Sequence, residues 1–103
     1  MNSVQDLPVF DAAEYLDTQD AIAAYLEAVV AEDIALLPAA LGTVARARGM
    51  SALARDTGLA RESLYRALSP DGNPTLSTLS KVLSAYGVEI ALKAVREPVT
   101  STS

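Results

Sequence analysis

MSALARDTGLARESLYRALS, residues 50–69, reads as two short helices with a glycine turn between them. Leu53 and Ala54 fall in the first helix, and Ala54 is small where a second helix must cross closely. Gly58 suits the left-handed backbone of a sharp turn, which costs any residue with a Cβ more. Leu59 turns inward after it, and Leu64 and Leu68 form a buried stripe at i, i+4 spacing. Arg61, Glu62, Tyr65 and Arg66 are left on the outer face. Buried leucines beneath exposed arginines on the second helix form the pattern of a helix-turn-helix unit that reads DNA. A helical hairpin that buries a core and does nothing else is the competing reading.

The charge distribution bears on that choice. The 103-residue chain carries a net charge of −5, which argues weakly against nucleic acid. Yet residues 1–45 hold eight acids and no base, while residues 46–103 sum to +3. Five arginines (Arg46, Arg48, Arg55, Arg61 and Arg66) lie on or beside the two short helices. Phosphate responds to local potential more than to the total. There is no cysteine and no histidine, which removes a disulfide framework, a thiolate site and the commonest general base. A metal site and a cofactor are not expected. No apolar run approaches a membrane span and residues 1–33 contain no Lys or Arg, so a soluble cytoplasmic protein is expected.

The length and the apolar half of the composition predict one mainly helical domain over residues 9–96, between flexible tails at 1–8 and 97–103. Thr18 is a good N-cap, and Ile22, Leu26, Val29 and Val30 predict a helix over roughly 19–31. Asp33 can cap a second helix with Leu37, Leu41 and Val44 inward. Pro38 either kinks that helix or marks its effective start, and Gly49 ends it. The hairpin helices follow at about 51–57 and 61–68. SPDGNP, residues 69–74, is a loop; it lacks the glycine spacing and the lysine of a phosphate-cradling loop. Thr75 opens a fifth helix with Leu76, Leu79, Val82, Leu83 and Tyr86 inward.

Residues 88–95 then alternate. Val88, Ile90, Leu92 and Ala94 fall on one side and Glu89, Ala91, Lys93 and Val95 on the other, which predicts a β-strand. A single strand needs a partner for its backbone groups. Either an extended stretch near residues 9–12 or the same strand of a second subunit would serve. A homodimer also suits DNA, since two reading helices about 34 Å apart match successive major grooves.

FDAAEYLDTQDAIAAYLEA, GTVARARGMSALARDTGLARESLYRALSPDGNPTLSTLSKVL and the closing GVEIAL together are similar to the HigA-like addiction module antidote family of small bacterial antitoxins. The resemblance spans residues 10–95. It implies a five-helix, lambda-repressor-like helix-turn-helix fold with a C-terminal β-strand. It also implies an antitoxin that neutralises a RelE-like mRNA-cleaving toxin and represses its own operon. A free-standing helix-turn-helix repressor without a toxin is the alternative, which the neighbouring gene decides. By the resemblance the second hairpin helix reads the operator, so Arg61, Glu62, Ser63, Tyr65 and Arg66 inherit that role. Ala60 departs from the Ser or Thr that often caps such a helix and contacts phosphate.

Ser51 and Arg55 on the first hairpin helix are further DNA-contact candidates. Arg46 and Arg48, at the end of the preceding helix, are candidate phosphate clamps that also complement a helix C-terminus. The acidic first half would be repelled by DNA and suits a small basic toxin, with Asp17, Asp20 and Glu27 as the contact residues. An enzyme is the remaining class. Asp17–Asp20 or Glu32–Asp33 could form a carboxylate pair, but charged helix caps explain these acids better. No catalytic residue is assigned.

Overall fold

The computed structural model describes residues 16–95. Five α-helices and one 3-10 turn follow one another among the described residues: α1 (Gln19–Glu32), the turn (Ile34–Leu36), α2 (Leu37–Arg48), α3 (Met50–Thr57), α4 (Arg61–Ala67) and α5 (Leu76–Ala85). Each start has a chemical cause. Thr18 Oγ1 accepts from the Ala21 amide at 3.0 Å, and Thr75 Oγ1 from the Thr78 amide at 3.1 Å. Asp33 Oδ1 accepts from the Ala35 amide at 2.9 Å, opening the 3-10 turn. Pro38 then sits in the first turn of α2, where its missing N–H costs nothing. The helix therefore starts at the proline rather than kinking there.

Helix α3 is the hub and packs on α2, α4 and α5, while α1 packs on α2 and on the 3-10 turn. The core unites Leu16, Ile22 and Leu26 with Leu37, Leu41 and Val44 of α2, Met50 and Leu53 of α3, Leu64 and Leu68, and Val82 and Leu83 of α5. No polar or charged residue is buried as a whole among the described residues. Gly42 permits one close approach within this core. A Cβ there would collide with the backbone carbonyl of Leu68, so the end of α4 can lie directly on α2.

Two expectations are corrected. Leu76, assigned to the inward stripe, is exposed: it is the first residue of α5, and the stripe runs one turn past the core. Residues 88–95 form no strand among the described residues. A strand exists only when a neighbour takes its hydrogen bonds, and within the described chain none does. The expected partner stretch at residues 9–12 and both tails lie outside the described residues.

Candidate functional site

The outer face of α4 carries the chemistry. The turn before it is held by Gly58 at φ 76°, whose amide donates to the Ala54 carbonyl at 2.9 Å. Thr57 locks the same turn, its Oγ1 donating to the Leu53 carbonyl at 2.8 Å and accepting from the Leu59 amide at 3.2 Å. Helix α4 then begins at Arg61 with Ala60 as its N-cap and no side-chain cap bond, as the absence of a hydroxyl there demands. Leu64 and Leu68 are fully buried beneath the helix. Arg61, Glu62, Ser63, Tyr65 and Arg66 all remain exposed.

Two of these side chains are joined. Arg61 Nη2 donates to the Tyr65 hydroxyl at 3.4 Å, and its guanidinium carbon lies 5.8 Å from the ring centroid. This i, i+4 pair holds a cation against an aromatic face on solvent-exposed ground. Glu62 lies in the first turn of α4, where an acid complements the helix dipole.

The flanking residues separate by role. Ser51 and Arg55 are exposed on α3, and Arg55 Nε lies 3.8 Å from Asp56 Oδ1, a surface pair worth little energetically. Arg46 runs along the side of α2 at Gly42, which faces the end of α4. Arg48, two residues on and so on the other side of the helix, donates through Nη1 to the Asp17 carbonyl at 3.4 Å. The two candidate phosphate clamps thus lie on different sides of α2 and meet different neighbours. Asp17, Asp20 and Glu27 are exposed, and Asp20 and Glu27 share one face of α1 with Ala24 and Ala31.

The residue pattern gave no notice of two features. Ile34 and Leu36 stand exposed on the 3-10 turn at the end of α1, with Ile34 67% accessible. They are apolar residues at the end of an acid-rich segment. The second feature is a cleft of about 380 Å³ lined in part by Gln19, Arg48, Asp56, Ser84 and Tyr86. The Tyr86 hydroxyl is buried with no hydrogen-bond partner among the described residues. Burial pushes its pKa from 10.0 up to about 12, with Arg48 opposing and Asp56 adding to the shift. Among the described residues no group of three or more His, Cys, Asp or Glu side chains comes together, and no helix is long and apolar enough to cross a membrane.

These features define a small helical protein with an arginine- and tyrosine-bearing helix face and an acidic opposite half. The family described as "Probable addiction module antidote protein" matches residues 6–94. The chain belongs to that family. An uncharacterized protein of Haemophilus influenzae is 45% identical over 93 residues, covering 89% of this chain and 96% of the relative. No solved structure matches the chain. The antidote family speaks for a regulatory, non-enzymatic protein with a toxin as counterpart.

Proposed function

We propose that this protein is a cytoplasmic antitoxin of the HigA-like kind, which neutralises a RelE-like mRNA-cleaving toxin and, as a homodimer, binds operator DNA to repress its own operon. One observation carries the DNA half: Arg61, Tyr65 and Arg66 project from α4 while Leu64 and Leu68 fix that helix to the core from below. In this reading α3 and α4 form a helix-turn-helix unit of the lambda-repressor-like class within a single domain spanning residues 9–96. The exposed face of α4 enters the major groove. Arg61 and Arg66 contact guanine edges or phosphates, and Ser63 and Tyr65 line the same face. Ser51, Arg55 and Arg46 approach the flanking phosphates. Arg48, exposed and donating to the Asp17 carbonyl at 3.4 Å, is the remaining phosphate-clamp candidate on the other side of α2.

The toxin half rests on the antidote family and on the acidic α1. A nuclease that grips RNA needs a basic surface, and Asp20 and Glu27 on one helix face complement it. Ile34 and Leu36 at the end of that helix supply the apolar area that an electrostatic contact alone lacks.

Mobility shift on the DNA upstream of the gene tests the first half. The Arg61→Ala/Arg66→Ala chain should lose about 1–3 kcal/mol per base contact while its helicity is unchanged. Wild-type affinity in that variant would overturn the DNA assignment. Reversing Asp17, Asp20 and Glu27 to lysine should abolish rescue of cell growth from the co-expressed neighbouring toxin, with operator binding kept or strengthened. Full rescue by the reversed chain moves the toxin contact away from α1.

A further inference from the structure

Helix α5 ends in a rigid terminator that launches the residues after it. The Gly87 amide donates to the Ser84 carbonyl at 3.0 Å and the Val88 amide to the Leu83 carbonyl at 2.9 Å. These are the two bonds of a Schellman motif. Val88 packs against the core at the same point, so the direction of departure is fixed. Beyond it, no backbone group of residues 89–95 is paired among the described residues. Ile90 is 45% accessible and Leu92 97%. An open backbone with exposed β-branched and aliphatic side chains is a template for another strand.

We propose that this segment pairs antiparallel with the same segment of a second copy, about a two-fold axis at Ala91. The proposal rests on the homodimer reading above and adds its interface and register. Opposed residues in an antiparallel pair share one face of the ribbon. With Ala91 on the axis, Val88 meets Ala94 of the second copy and Ile90 meets its Leu92, so one face is entirely apolar. On the other face Glu89 meets Lys93 twice, once on each side of the axis, with Ala91 against Ala91 between them.

Neighbouring registers fail. Centring on Ile90 sets Glu89 against Ala91, and Lys93 against Gly87. Centring on Leu92 sets Glu89 against Val95, and Lys93 against Ala91. In both, the charges stay on their own face but lose each other; a one-residue slip, with the axis between Ile90 and Ala91, sets Glu89 against Leu92 and Lys93 against Val88 and so mixes the two faces. The exposure of Leu92 follows: its place is beside the second copy's Ile90, next to the Val88 that is seated on that copy's core.

The test uses the full-length chain alone, without DNA or toxin. Sedimentation should show a dimer. Glu89→Lys and Lys93→Glu should each weaken it about tenfold, since symmetry turns two attractive pairs into two repulsive ones. Mixing the two single variants, or combining both substitutions in one chain, should restore affinity to within about threefold of wild type. The chain contains no cysteine, so introduced thiols report register directly. Ala91→Cys should cross-link under mild oxidation, because the residue faces itself at disulfide distance, whereas Ile90→Cys and Leu92→Cys should not. A full-length chain that remains monomeric overturns the interface and the homodimer reading together. A dimer that ignores the charge variants and cross-links no faster at Ala91→Cys than at Ile90→Cys overturns the interface alone.

Discussion

Helix α4 and residues 88–95 are both short, both carry charged side chains outward and both keep apolar residues on one side. Yet α4 is finished within the chain, and among the described residues the C-terminal segment is not. In α4 the backbone closes on itself, the Leu64 amide donating to the Ala60 carbonyl at 3.0 Å and the Leu68 amide to the Leu64 carbonyl at 2.9 Å. Its apolar side meets the core completely. Residues 89–95 have the opposite ledger, with no backbone partner among the described residues and Leu92 almost wholly in solvent. A helix carries its hydrogen bonds in its own sequence, whereas a strand borrows them from a neighbour. An outward charge on α4 is therefore free to act on a ligand. In the pairing proposed above, the segment after α5 is itself the part that is bound.

The contrast is broken most severely from beneath α4. Leu64→Ala should cost about 3 kcal/mol, because a fully buried leucine is removed from the core cluster. Against a total stability of about 5–15 kcal/mol this is a large fraction, readable in urea unfolding. Operator binding should fall with it, although Leu64 touches no DNA. A loss below about 1 kcal/mol would mean that α4 is not held by the core.

Gly42→Ala is next. On an exposed helix this change gains about 1 kcal/mol through helix propensity. Here the added Cβ meets the Leu68 backbone carbonyl, which cannot rotate aside as a side chain would. Overpacking of this kind costs about 1–3 kcal/mol, so the net sign should be destabilising. A more stable Gly42→Ala variant, measured in the same urea series, would show that α2 and the end of α4 are further apart than described.

Gly42 also marks where the sequence stops being readable. The boundaries of α1 to α5, the turn at Gly58 and the inward leucines follow from caps and from 3.6-residue periodicity, which are local. That α2 must lie against the end of α4 is a tertiary fact, and a glycine in mid-helix announces only that something is close. Leu76 failed for a related reason: periodicity gives the face of a helix, not how far along it the core extends. That Arg46 and Arg48 lie on opposite sides of α2 follows from their two-residue spacing, but the neighbours each one meets do not. Exposure of Arg61, Tyr65 and Arg66 was legible because the leucine stripe beneath them fixes the outward side. The contact between Arg61 and Tyr65 depends on rotamers and was not.

Tyr86 sharpens the comparison at the base of the segment. Its hydroxyl is buried without a partner among the described residues, so Tyr86→Phe removes an unsatisfied group and should stabilise by about 1 kcal/mol near neutral pH. The pH dependence has a definite sign. Its pKa is raised from 10.0 to about 12 by desolvation, with Arg48 opposing and Asp56 reinforcing. Below pH 10 the hydroxyl is protonated in both folded and unfolded chains and its contribution is constant. As pH climbs from 10 towards 12 the unfolded chain ionises first, and stability falls. Thermal melts across pH 8–12 should show a shallower alkaline decline for Tyr86→Phe than for wild type. Parallel declines would mean that the hydroxyl is solvated.

The smallest effect is expected at Leu92, and its smallness is the point. A leucine 97% accessible in the single chain has almost no burial to lose, so Leu92→Ala should change the stability of dilute protein by less than about 0.5 kcal/mol. Concentration supplies the contrast. If two copies pair, the wild-type melting temperature rises with protein concentration by mass action. The variant should rise less, because alanine leaves Ile90 of the other copy uncovered. Melts over a hundredfold concentration range separate the outcomes. A large loss in dilute protein would mean that the segment folds onto its own domain, and the distinction between a finished helix and an unfinished strand would disappear. A null effect when dilute, growing with concentration, keeps that distinction and assigns the missing half of the ribbon to a second copy.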